Sequence, residues 1–344
     1  MLVRDGVPLA PLTTLRLGGP ARRLVTAFDE GELREALGDH PAALLLGGGS
    51  NVVIADAGVD ATVVRVATHG LTAVRDGDDV LLTAQAGEDW DGLVALCVAE
   101  GLTGVEAMSG VPGLVGATPV QNVGAYGQDA SQIVDAVRAL NRRTGQVLSL
   151  TAGQCAFGYR HSAFKASPGC WAVLAVTYRL RPDGLGAPVR YAELARSLGV
   201  EVGARAPLGD VREAVLALRR GKGMVVSDED PDSRSAGSFF TNPQVDAPAL
   251  AALRTRVSEP VPGHPDGDGR TKLSAAWLIE QAGFAKGHGA GAVGLSRKHV
   301  LALVHRGGGS SAELLEVARE VRDGVRDRLG VELVPEPVLV GLAL

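Results

Sequence analysis

Apolar residues recur every three to four positions in five segments of the chain, which is the spacing of an amphipathic helix. The predicted helices cover residues 29–37, 90–100, 210–220, 273–283, and a last segment that begins at Ser310. Two of these segments open with a polar residue followed three positions later by glutamate, the pattern of a capping box. These pairs are Asp210 with Glu213 and Ser310 with Glu313. We therefore expect helices to start at Asp210 and at Ser310.

Shorter apolar or alternating runs predict strands between and around these helices. The predicted strands cover residues 43–46, 52–54, 80–84, 136–140, 147–150, 171–180 and 331–342. Residues 244–265 contain four prolines and are predicted to be mostly loop. The mixture of helices and strands indicates an α+β chain, with a domain boundary near residue 213.

Residues 110–129 interrupt this pattern, because no regular helix tolerates five glycines and two prolines in twenty positions. The residues between the glycines are nevertheless too apolar for a solvated linker. Glycine allows the backbone to approach a large ligand closely, and backbone N–H groups are good partners for phosphate. We interpret the stretch as a buried, backbone-lined cofactor wall. A glycine-rich core turn without a ligand is an equally good interpretation of this stretch alone.

A second glycine-rich stretch, Gly47-Gly-Gly-Ser-Asn51, directly follows the predicted strand 43–46. A glycine turn after a strand can place backbone N–H groups against a pyrophosphate. The motif is not GxGxxG, and strand rather than helix follows it, so a Rossmann site is a poor interpretation. By itself the motif is weak, because glycine turns are common.

Composition narrows the class of protein. The 344 residues are 46% hydrophobic and 21% charged, with a formal charge of -5, which is ordinary for a globular protein and gives no electrostatic case for nucleic acid. We see no signal peptide and no apolar run of the roughly 20 residues that span a bilayer. Cys97, Cys155 and Cys170 are far apart, which indicates reduced thiols in a cytoplasmic protein and no metal site.

Four side chains could carry chemistry, and each has a plainer alternative. Arg160, between Tyr159 and His161, could clamp a carboxylate or simply stack on a core aromatic ring. Ser238 could exchange a proton or form a turn. Glu336 needs a partner or a task if it is buried, although its flanking prolines favour a solvated edge. Lys222 could reach a phosphate or lie in solvent.

Six segments, taken together and in order, resemble one family. They are LGGGSNVVIAD, GVEAMSGVPGLVGATPVQNVGAYGQD, FGYRHSAFK, AGSFFTNP, KLSAAWLIEQAGF and LVPEPVLVG. This combination closely resembles the UDP-N-acetylenolpyruvoylglucosamine reductase (MurB) family of peptidoglycan synthesis, from about Leu12 to the C-terminus. The resemblance implies a two-domain FAD-binding fold of the vanillyl-alcohol-oxidase type plus a C-terminal α/β substrate-binding domain. The implied domains are residues 1–70 joined by 327–344, residues 71–212, and residues 213–326.

The resemblance also implies a reaction in which NADPH is the reductant and hydride passes through flavin N5 to the enolpyruvyl ether of a UDP-linked sugar. Such a reaction needs electrostatic help at the substrate carboxylate and one proton donor. By resemblance the donor is Ser238, while Arg160 and Glu336 polarise the carboxylate and stabilise the enolic intermediate. We expect the pKa of Glu336 to be raised, since a glutamate beside an enolate helps only when it is protonated or orients a donor. The implied substrate-binding residues are Tyr159, Tyr191, Lys222 and Asn242, with Tyr191 on a closing loop found in one subclass.

The implied FAD site is non-covalent and uses both glycine-rich stretches. Its residues are Gly47, Gly48, Gly49, Ser50, Asn51, Ser109, Gly110, Gly113, Gly116, Thr118, Gln121, Asn122, Gly124, Ala125 and Tyr126. Two departures from the family pattern, Thr241 and the Gly-Met that follows Lys222, leave the nucleotide contacts open. We expect a cytoplasmic monomer without nucleic-acid or membrane partners. The alternatives are an FAD oxidase of the same fold acting on a small alcohol or lactone, and a non-catalytic flavin-binding module.

Overall fold

The computed structural model describes residues 1–267, 269–289 and 291–344. The chain forms two compact units, and each is assembled from separated segments. Unit 1 contains Met1–Val7, Ala21–Gly48 and Asp60–Gly221, whereas unit 2 contains Pro8–Pro20, Gly49–Val59 and Lys222–Leu344. The three-domain division expected from the sequence stays a prediction.

The helices of the described residues are α1 (Glu30–Asp39), α2 (Trp90–Ala99), α3 (Ala163–Ala166), α4 (Ala192–Leu198), α5 (Leu208–Gly221), α6 (Ala247–Arg254), α7 (Ala275–Gln281) and α8 (Ser311–Leu329). The strands are β1 (Leu2–Pro8), β2 (Pro20–Ala27), β3 (Leu44–Leu46), β4 (Val52–Ile54), β5 (Val59–Val66), β6 (Leu71–Asp76), β7 (Asp79–Gln85), β8 (Leu102–Thr103), β9 (Gly124–Ala125), β10 (Gln128–Asp129), β11 (Val134–Asn141), β12 (Val147–Thr151), β13 (Trp171–Pro182), β14 (Gln244–Val245), β15 (Gly263–Asp266), β16 (Arg270–Leu273), β17 (Val293–Leu295), β18 (Leu303–His305) and β19 (Val338–Val340).

Of the two predicted capping boxes, the one at Ser310 is confirmed and the one at Asp210 is wrong. The Asp29 side chain accepts the Glu32 N–H at the start of α1, and Ser310 forms the expected capping box with Glu313 at the start of α8. The predicted start of α5 is wrong, because that helix begins at Leu208 and Asp210 lies inside its first turn. An acidic residue is favourable there as well, since it faces the positive end of the helix dipole.

Two predictions in the C-terminal third are wrong. Residues 244–265 are not mostly loop, because they contain β14, α6 and part of the β15–β16 hairpin. Pro248 lies in the first turn of α6 behind the Asp246 cap, where a missing N–H does no harm. The predicted strand 331–342 is only β19, since Pro335 and Pro337 cannot donate to a ladder.

Unit 1 is built on two sheets. The first has the strand order β1-β2-β5-β3, and in it β3 and β5 run parallel. The second is an antiparallel sheet in the order β12-β11-β13-β7-β6, with β8 added to the end of β13. Trp90 of α2 packs on Tyr178 of β13, with ring centroids 5.7 Å apart. This buried core supports residues 110–127.

Unit 2 is built around α7 and α8, which bury Leu278, Ile279 and Val321 among other apolar side chains. Three small sheets surround these helices: β14-β16-β15, β17-β18, and a parallel pair of β4 with β19. The Asp56 carboxylate accepts the N–H groups of Ser311 and Ala312, at 2.8 and 3.0 Å, at the start of α8. The long helix is thereby fixed to the segment that follows β4.

Three further observations concern the cysteines, the apolar length of the helices and possible metal ligands. Cys97, Cys155 and Cys170 are buried and free, and burial raises the pKa of Cys97 to about 12 and of Cys155 to about 11. Within the described residues, no helix is long and apolar enough to cross a membrane. Nor do three or more His, Cys, Asp or Glu side chains in that part of the chain gather into a set able to hold a metal ion.

Candidate active site

The glycine turn 47–51 follows β3 and leads into β4. Gly48 and Gly49 are required by close packing. An added Cβ on Gly48 would lie 2.9 Å from the Cα of Gly113, and one on Gly49 would lie 2.1 Å from the Leu12 carbonyl oxygen. Gly49 also has a φ of +62°, a left-handed conformation that favours glycine. Larger residues would therefore not allow this backbone path.

Three consecutive backbone N–H groups of this turn have no hydrogen-bond acceptor in the described part of the protein. Within the described residues, the N–H groups of Gly48, Gly49 and Ser50 donate no hydrogen bond to another protein group. The Gly49 carbonyl, in contrast, is fixed by the Thr14 N–H at 3.1 Å. A rigid turn with consecutive N–H groups turned to no protein acceptor suits an anionic ligand. This geometry fits the pyrophosphate of a dinucleotide cofactor such as FAD.

The second glycine stretch, 110–127, uses its backbone differently. The N–H of Gly110 donates to Asp91 at 2.6 Å, and that of Gly116 donates to the Ala86 carbonyl at 2.9 Å. An added Cβ on Gly116 would lie 2.6 Å from the Cβ of Ala86. The Thr118 hydroxyl is likewise engaged, with the Val115 carbonyl at 2.8 Å and the Tyr178 hydroxyl at 2.7 Å. These groups hold the stretch against β7 and β13.

The far end of the stretch is a tight hairpin. Strands β9 and β10 are joined by Tyr126 and Gly127, which have φ values of +48° and +87°. Two positive φ angles in a two-residue loop define a type I′ turn. Tyr126 meets the ring of Tyr191 edge-on, with centroids 6.0 Å apart. Tyr191 precedes α4 and is 53% exposed, which places two of the predicted site residues together.

Arg160 is fixed to this wall. It lies at the corner of a turn in which Gly158 and His161 exchange backbone hydrogen bonds, and its φ of +50° is uncommon for a residue with a side chain. Its guanidinium donates to the carbonyl oxygens of Asn122 at 3.3 Å and Gly124 at 3.2 Å. The guanidinium also lies 5.6 Å from the centre of the Tyr159 ring, and that ring is 38% exposed. The stacking partner is therefore not a core aromatic residue.

Asn122 links the same two segments and is itself left-handed, with a φ of +48°. Its side-chain oxygen accepts the Ser131 N–H at 2.9 Å, and its amide nitrogen donates to the Gly158 carbonyl at 3.1 Å. Strained residues that are held by several contacts cluster at functional sites. The structure therefore brings Asn122, Gly124, Tyr126, Tyr159, Arg160 and Tyr191 into one connected region of unit 1.

Sequence reasoning missed the side chains that anchor this region from α2 and α5. Asp91 accepts the Gly110 N–H and two hydrogen bonds from Arg212, at 2.7 and 3.1 Å. Burial by itself raises the pKa of Asp91, but the hydrogen bonds from Arg212 and Gly110 outweigh it and hold the pKa below its usual value. Arg219 donates to the Gly110 carbonyl at 3.3 Å. Only the fold brings α5 near residue 110, so no local sequence signal identifies this anchor.

In unit 2, Ser238 and Glu336 lie on neighbouring backbone segments. The Glu336 N–H donates to the Phe239 carbonyl at 2.8 Å, and Phe240 pairs with Pro335. The Asn51 side chain donates to the Glu336 carbonyl at 3.4 Å, and the Val338 N–H donates to the Asn51 carbonyl at 3.0 Å. Two residues 98 positions apart in the sequence are thus held together beside the glycine turn.

The remaining predicted residues of unit 2 occupy distinct places. The Asn242 side-chain oxygen accepts the Ala275 N–H at 2.9 Å, which ties it to the start of α7. Lys222 is partly buried directly after α5, and the next residue, Gly223, packs on the carbonyl of Asp232. Asp232 was missed by sequence reasoning, although it is buried and ion-paired with Arg306 at 3.0 Å. Burial opposes ionisation of Asp232, but the Arg297 N–H, Arg306 and Ser296 together lower its pKa.

Family models identify the class of protein. Residues 24–151 match the model of an FAD binding domain, and this range contains both glycine-rich stretches. Residues 230–340 match the C-terminal domain of UDP-N-acetylenolpyruvoylglucosamine reductase, and this range contains Ser238, Asn242 and Glu336. The chain is an FAD-dependent oxidoreductase. The predicted fold class, an FAD-binding fold followed by a separate C-terminal domain, is confirmed.

Curated relatives and a solved structure narrow this class to one family. The chain is 54% identical to a UDP-N-acetylenolpyruvoylglucosamine reductase of Saccharopolyspora erythraea, over 98% of this chain and 96% of the relative. It is 52% identical to one of Streptomyces coelicolor, over 98% and 90%. A crystal structure of the enzyme from Thermus caldophilus matches with a TM-score of 0.68 at 25% identity, over 98% of this chain and 100% of that one. The chain belongs to the UDP-N-acetylenolpyruvoylglucosamine reductase family, as its motifs predicted.

Proposed function

We propose that the protein reduces the enolpyruvyl ether of UDP-N-acetylglucosamine to UDP-N-acetylmuramate, a cytoplasmic step in the synthesis of peptidoglycan precursors. The observation that carries the proposal is the pairing of the Ser238 segment with Glu336 beside the turn that contains Asn51. A proton donor and a carboxyl group that could act on an enolate are thereby held together on rigid backbone. We further propose that the enzyme acts as a monomer.

FAD held at this site would supply the redox chemistry, because a flavin can pass hydride from NADPH to the substrate. The protein holds this cofactor without a covalent bond. The N–H groups of Gly48, Gly49 and Ser50 would hold its pyrophosphate, because they are consecutive and donate to no other group of the described chain. Acid precipitation should then release all flavin into the supernatant, and flavin that stays in the pellet would contradict the non-covalent site.

Ser238 donates the proton that completes the reduction. A serine hydroxyl is a weak acid, so it needs a basic acceptor and good placement more than acidity. Its neighbours Phe239 and Phe240 are each only 1% exposed and stack edge-on with ring centroids 5.2 Å apart. Their burial fixes the backbone on the C-terminal side of Ser238, which favours accurate placement of the hydroxyl.

Arg160 and Glu336 stabilise the charge that develops on the substrate carboxylate. The Arg160 guanidinium is already oriented by the carbonyl oxygens of Asn122 and Gly124, so little reorganisation is needed when charge appears. Glu336 is partly buried, and its backbone is fixed at both its N–H and its carbonyl. Tyr159, Tyr191, Lys222 and Asn242 bind the rest of the UDP-linked substrate, and Tyr191 closes over it.

The deciding experiment separates the two half-reactions by rapid-mixing absorbance at the flavin band. Ser238→Ala should bind FAD and be reduced by NADPH at the parent rate, but its reoxidation by substrate should slow at least ~100-fold, as expected for removal of a general acid. Ser238→Cys should retain measurable reoxidation because it keeps a proton at nearly the same place. Thr241→Ala removes a nearby exposed hydroxyl and is the control. Reoxidation of Ser238→Ala at the parent rate would show that the proton comes from another group.

Arg160→Lys and Glu336→Gln test the electrostatic roles in the same assay. Loss of one preorganised contact typically slows a reaction on the order of a hundredfold. We expect both variants to show slow reoxidation by substrate with near-normal reduction by NADPH. Unchanged reoxidation in both would count against these roles without affecting the assignment of Ser238.

A further inference from the structure

Thr14 connects the glycine turn to the segment that carries Ser238. Its N–H donates to the Gly49 carbonyl at 3.1 Å, and its hydroxyl donates to the Ser235 carbonyl at 2.6 Å. Gly49, Thr14 and Ser235 all belong to unit 2, although Thr14 and Ser235 are 221 residues apart in the chain. The hydroxyl also lies 3.5 Å from the Gly49 carbonyl oxygen, which is the longer of its two contacts. Thr14 thus links the proposed pyrophosphate turn to the proposed proton-donor segment, and its shorter side-chain contact is with Ser235.

The contact at Ser235 is transmitted toward Ser238 by a short rigid segment. The Ser235 hydroxyl accepts the Gly237 N–H at 3.2 Å, and Gly237 has a φ of +76°. Ser235 also pairs with Val304 of β18. Beyond Ser238, the Phe239 N–H donates to the Leu301 carbonyl at 2.7 Å. The backbone of Ser238 is therefore held on both sides, and the Thr14 hydroxyl belongs to the N-terminal support.

The glycine turn reaches the two proposed catalytic residues through two different polar links. Asn51 donates to the Glu336 carbonyl, whereas Thr14 joins Gly49 to the Ser238 segment. A serine that donates a proton to carbon must be placed closely, since a displacement of about 1 Å at a reacting group can slow a reaction on the order of a hundredfold. The protein must therefore hold the proposed cofactor turn and the Ser238 segment at a fixed distance from each other.

We propose that Thr14 is a positioning residue for the proton-transfer half-reaction, acting through its hydrogen bond to the Ser235 carbonyl. This inference rests on the proposed function, because it assumes that Ser238 donates the proton. Thr14 does not touch the reacting atoms in this role. Its hydroxyl sets the distance between the turn that binds the flavin pyrophosphate and the backbone of Ser238.

The test is Thr14→Val in the holoenzyme, because valine has nearly the same shape as threonine and keeps the backbone N–H but lacks the hydroxyl. We expect FAD content, the flavin spectrum and reduction by NADPH to match the parent. Reoxidation by substrate should slow by about 10-fold or more. Thr14→Ser restores a hydroxyl and should recover most of the reoxidation rate, which a loss of packing would not explain.

Thr13→Val is the matched control. Thr13 is adjacent in sequence, and among the described residues its hydroxyl bonds to the carbonyl oxygens of Ala10 and Leu17, at 3.2 and 3.0 Å. We expect it to leave both half-reactions within about twofold of the parent, well below the effect of misplacing a reacting group. If Thr14→Val does not retain flavin, Thr14→Ala replaces it in the comparison with Thr14→Ser.

The outcomes separate this inference from the proposed function. Parent-rate reoxidation in Thr14→Val, together with slow reoxidation in Ser238→Ala, would overturn the positioning role alone. Equal slowing of both half-reactions in Thr14→Val, or failure of Thr14→Ser to recover the rate, would also overturn it. Parent-rate reoxidation in Ser238→Ala would overturn the proposed function and this inference with it.

Discussion

The two glycine-rich stretches are similar in composition but differ in how they use their backbone. In the turn 47–51, the N–H groups of Gly48, Gly49 and Ser50 donate to no other group within the described chain. In the stretch 110–127, the N–H groups of Gly110 and Gly116 already have protein acceptors. The first stretch is therefore suited to binding an anion through N–H groups, and the second to forming a rigid surface that a flat ring can approach.

A position can require glycine for its backbone conformation, for lack of space, or for both, and the two stretches differ in this respect. Gly49 combines a left-handed φ with contact against the Leu12 carbonyl, so both conformation and space exclude other residues. Gly116 has no unusual φ and is required only because Ala86 is close. Both positions are glycine in the sequence, which therefore does not distinguish the two reasons. The consequences of substitution should therefore differ in size, and the three variants below are ordered by the effect we expect.

The largest effect is expected for Gly49→Ala. Its Cβ would lie 2.1 Å from a backbone oxygen while φ remains at +62°, so the turn must move or unit 2 must open. A strained left-handed residue and a steric clash together should destabilise the protein by several kcal/mol and abolish FAD binding. The control is Gly47→Ala, whose Cβ meets only the Leu114 side chain at 3.7 Å, an ordinary contact. Thermal unfolding and bound flavin are the measurements, and equal behaviour of the two variants would contradict the distinction.

A smaller effect is expected for Gly116→Ala. The added methyl group would lie 2.6 Å from the Ala86 Cβ and 3.1 Å from the Ala86 carbonyl oxygen, which accepts the Gly116 N–H. Overpacking of this kind typically destabilises a protein by about 1–3 kcal/mol. The control is Gly153→Ala in the same unit, where an added Cβ would lie 4.0 Å from the Thr151 hydroxyl. Urea unfolding would measure the difference, and a Gly116→Ala midpoint equal to that of the parent would refute it.

The smallest effect is expected for Asp91→Asn, and it should depend on pH. The folded state holds the pKa of Asp91 below its usual value, which is about 3.9 in an unfolded chain. Such a carboxyl contributes stability above that pH and loses the contribution as the pH falls through the folded pKa. Asp91→Asn should therefore unfold at a lower temperature than the parent at pH 7, and the two curves should converge toward pH 3.

Asp89→Asn is the control for this pH series, since it removes a neighbouring charge but keeps an N-cap oxygen at the start of α2. The difference in unfolding temperature between Asp89→Asn and the parent should not disappear as the pH falls toward 3. A constant difference between Asp91→Asn and the parent from pH 7 to pH 3 would mean that the ionised carboxylate contributes nothing at Gly110.

Local signals in the sequence were sufficient for much of the fold. Apolar spacing identified α1, and the Ser310 cap with the apolar face behind it identified α8, because capping and periodicity act within a few residues. The short helix α4 was missed, since it has seven residues and no side-chain cap. Residues 331–342 carry an apolar pattern, but the length of β19 is set by its partner β4 rather than by that pattern.

The candidate site likewise contains residues that the sequence identified and residues that only the structure revealed. The motifs identified Ser238, Arg160 and Glu336, whose roles stay proposals, and the structure shows how rigidly each is held. The supports were not visible, because Asp91 meets Arg212 across 121 positions and Thr14 meets Ser235 across 221. The sequence around Asp91 or Thr14 does not identify a partner that is more than 100 positions away. Supporting contacts of this kind follow from the fold and not from a motif.

The parallel pairing of β4 with β19 has a consequence for biosynthesis. Asn51 and Glu336 are 285 residues apart, so the ribosome makes the glycine turn long before it makes the Glu336 backbone that Asn51 contacts. Unit 1 draws all its segments from the first 221 residues, whereas unit 2 combines residues 8–20 and 49–59 with residues 222–344. Domains generally fold in the order in which they are synthesised. A nascent chain should therefore hold a folded unit 1 while residues 8–20 and 49–59 still await their partners, and its proposed proton-transfer chemistry begins only once translation has passed β19.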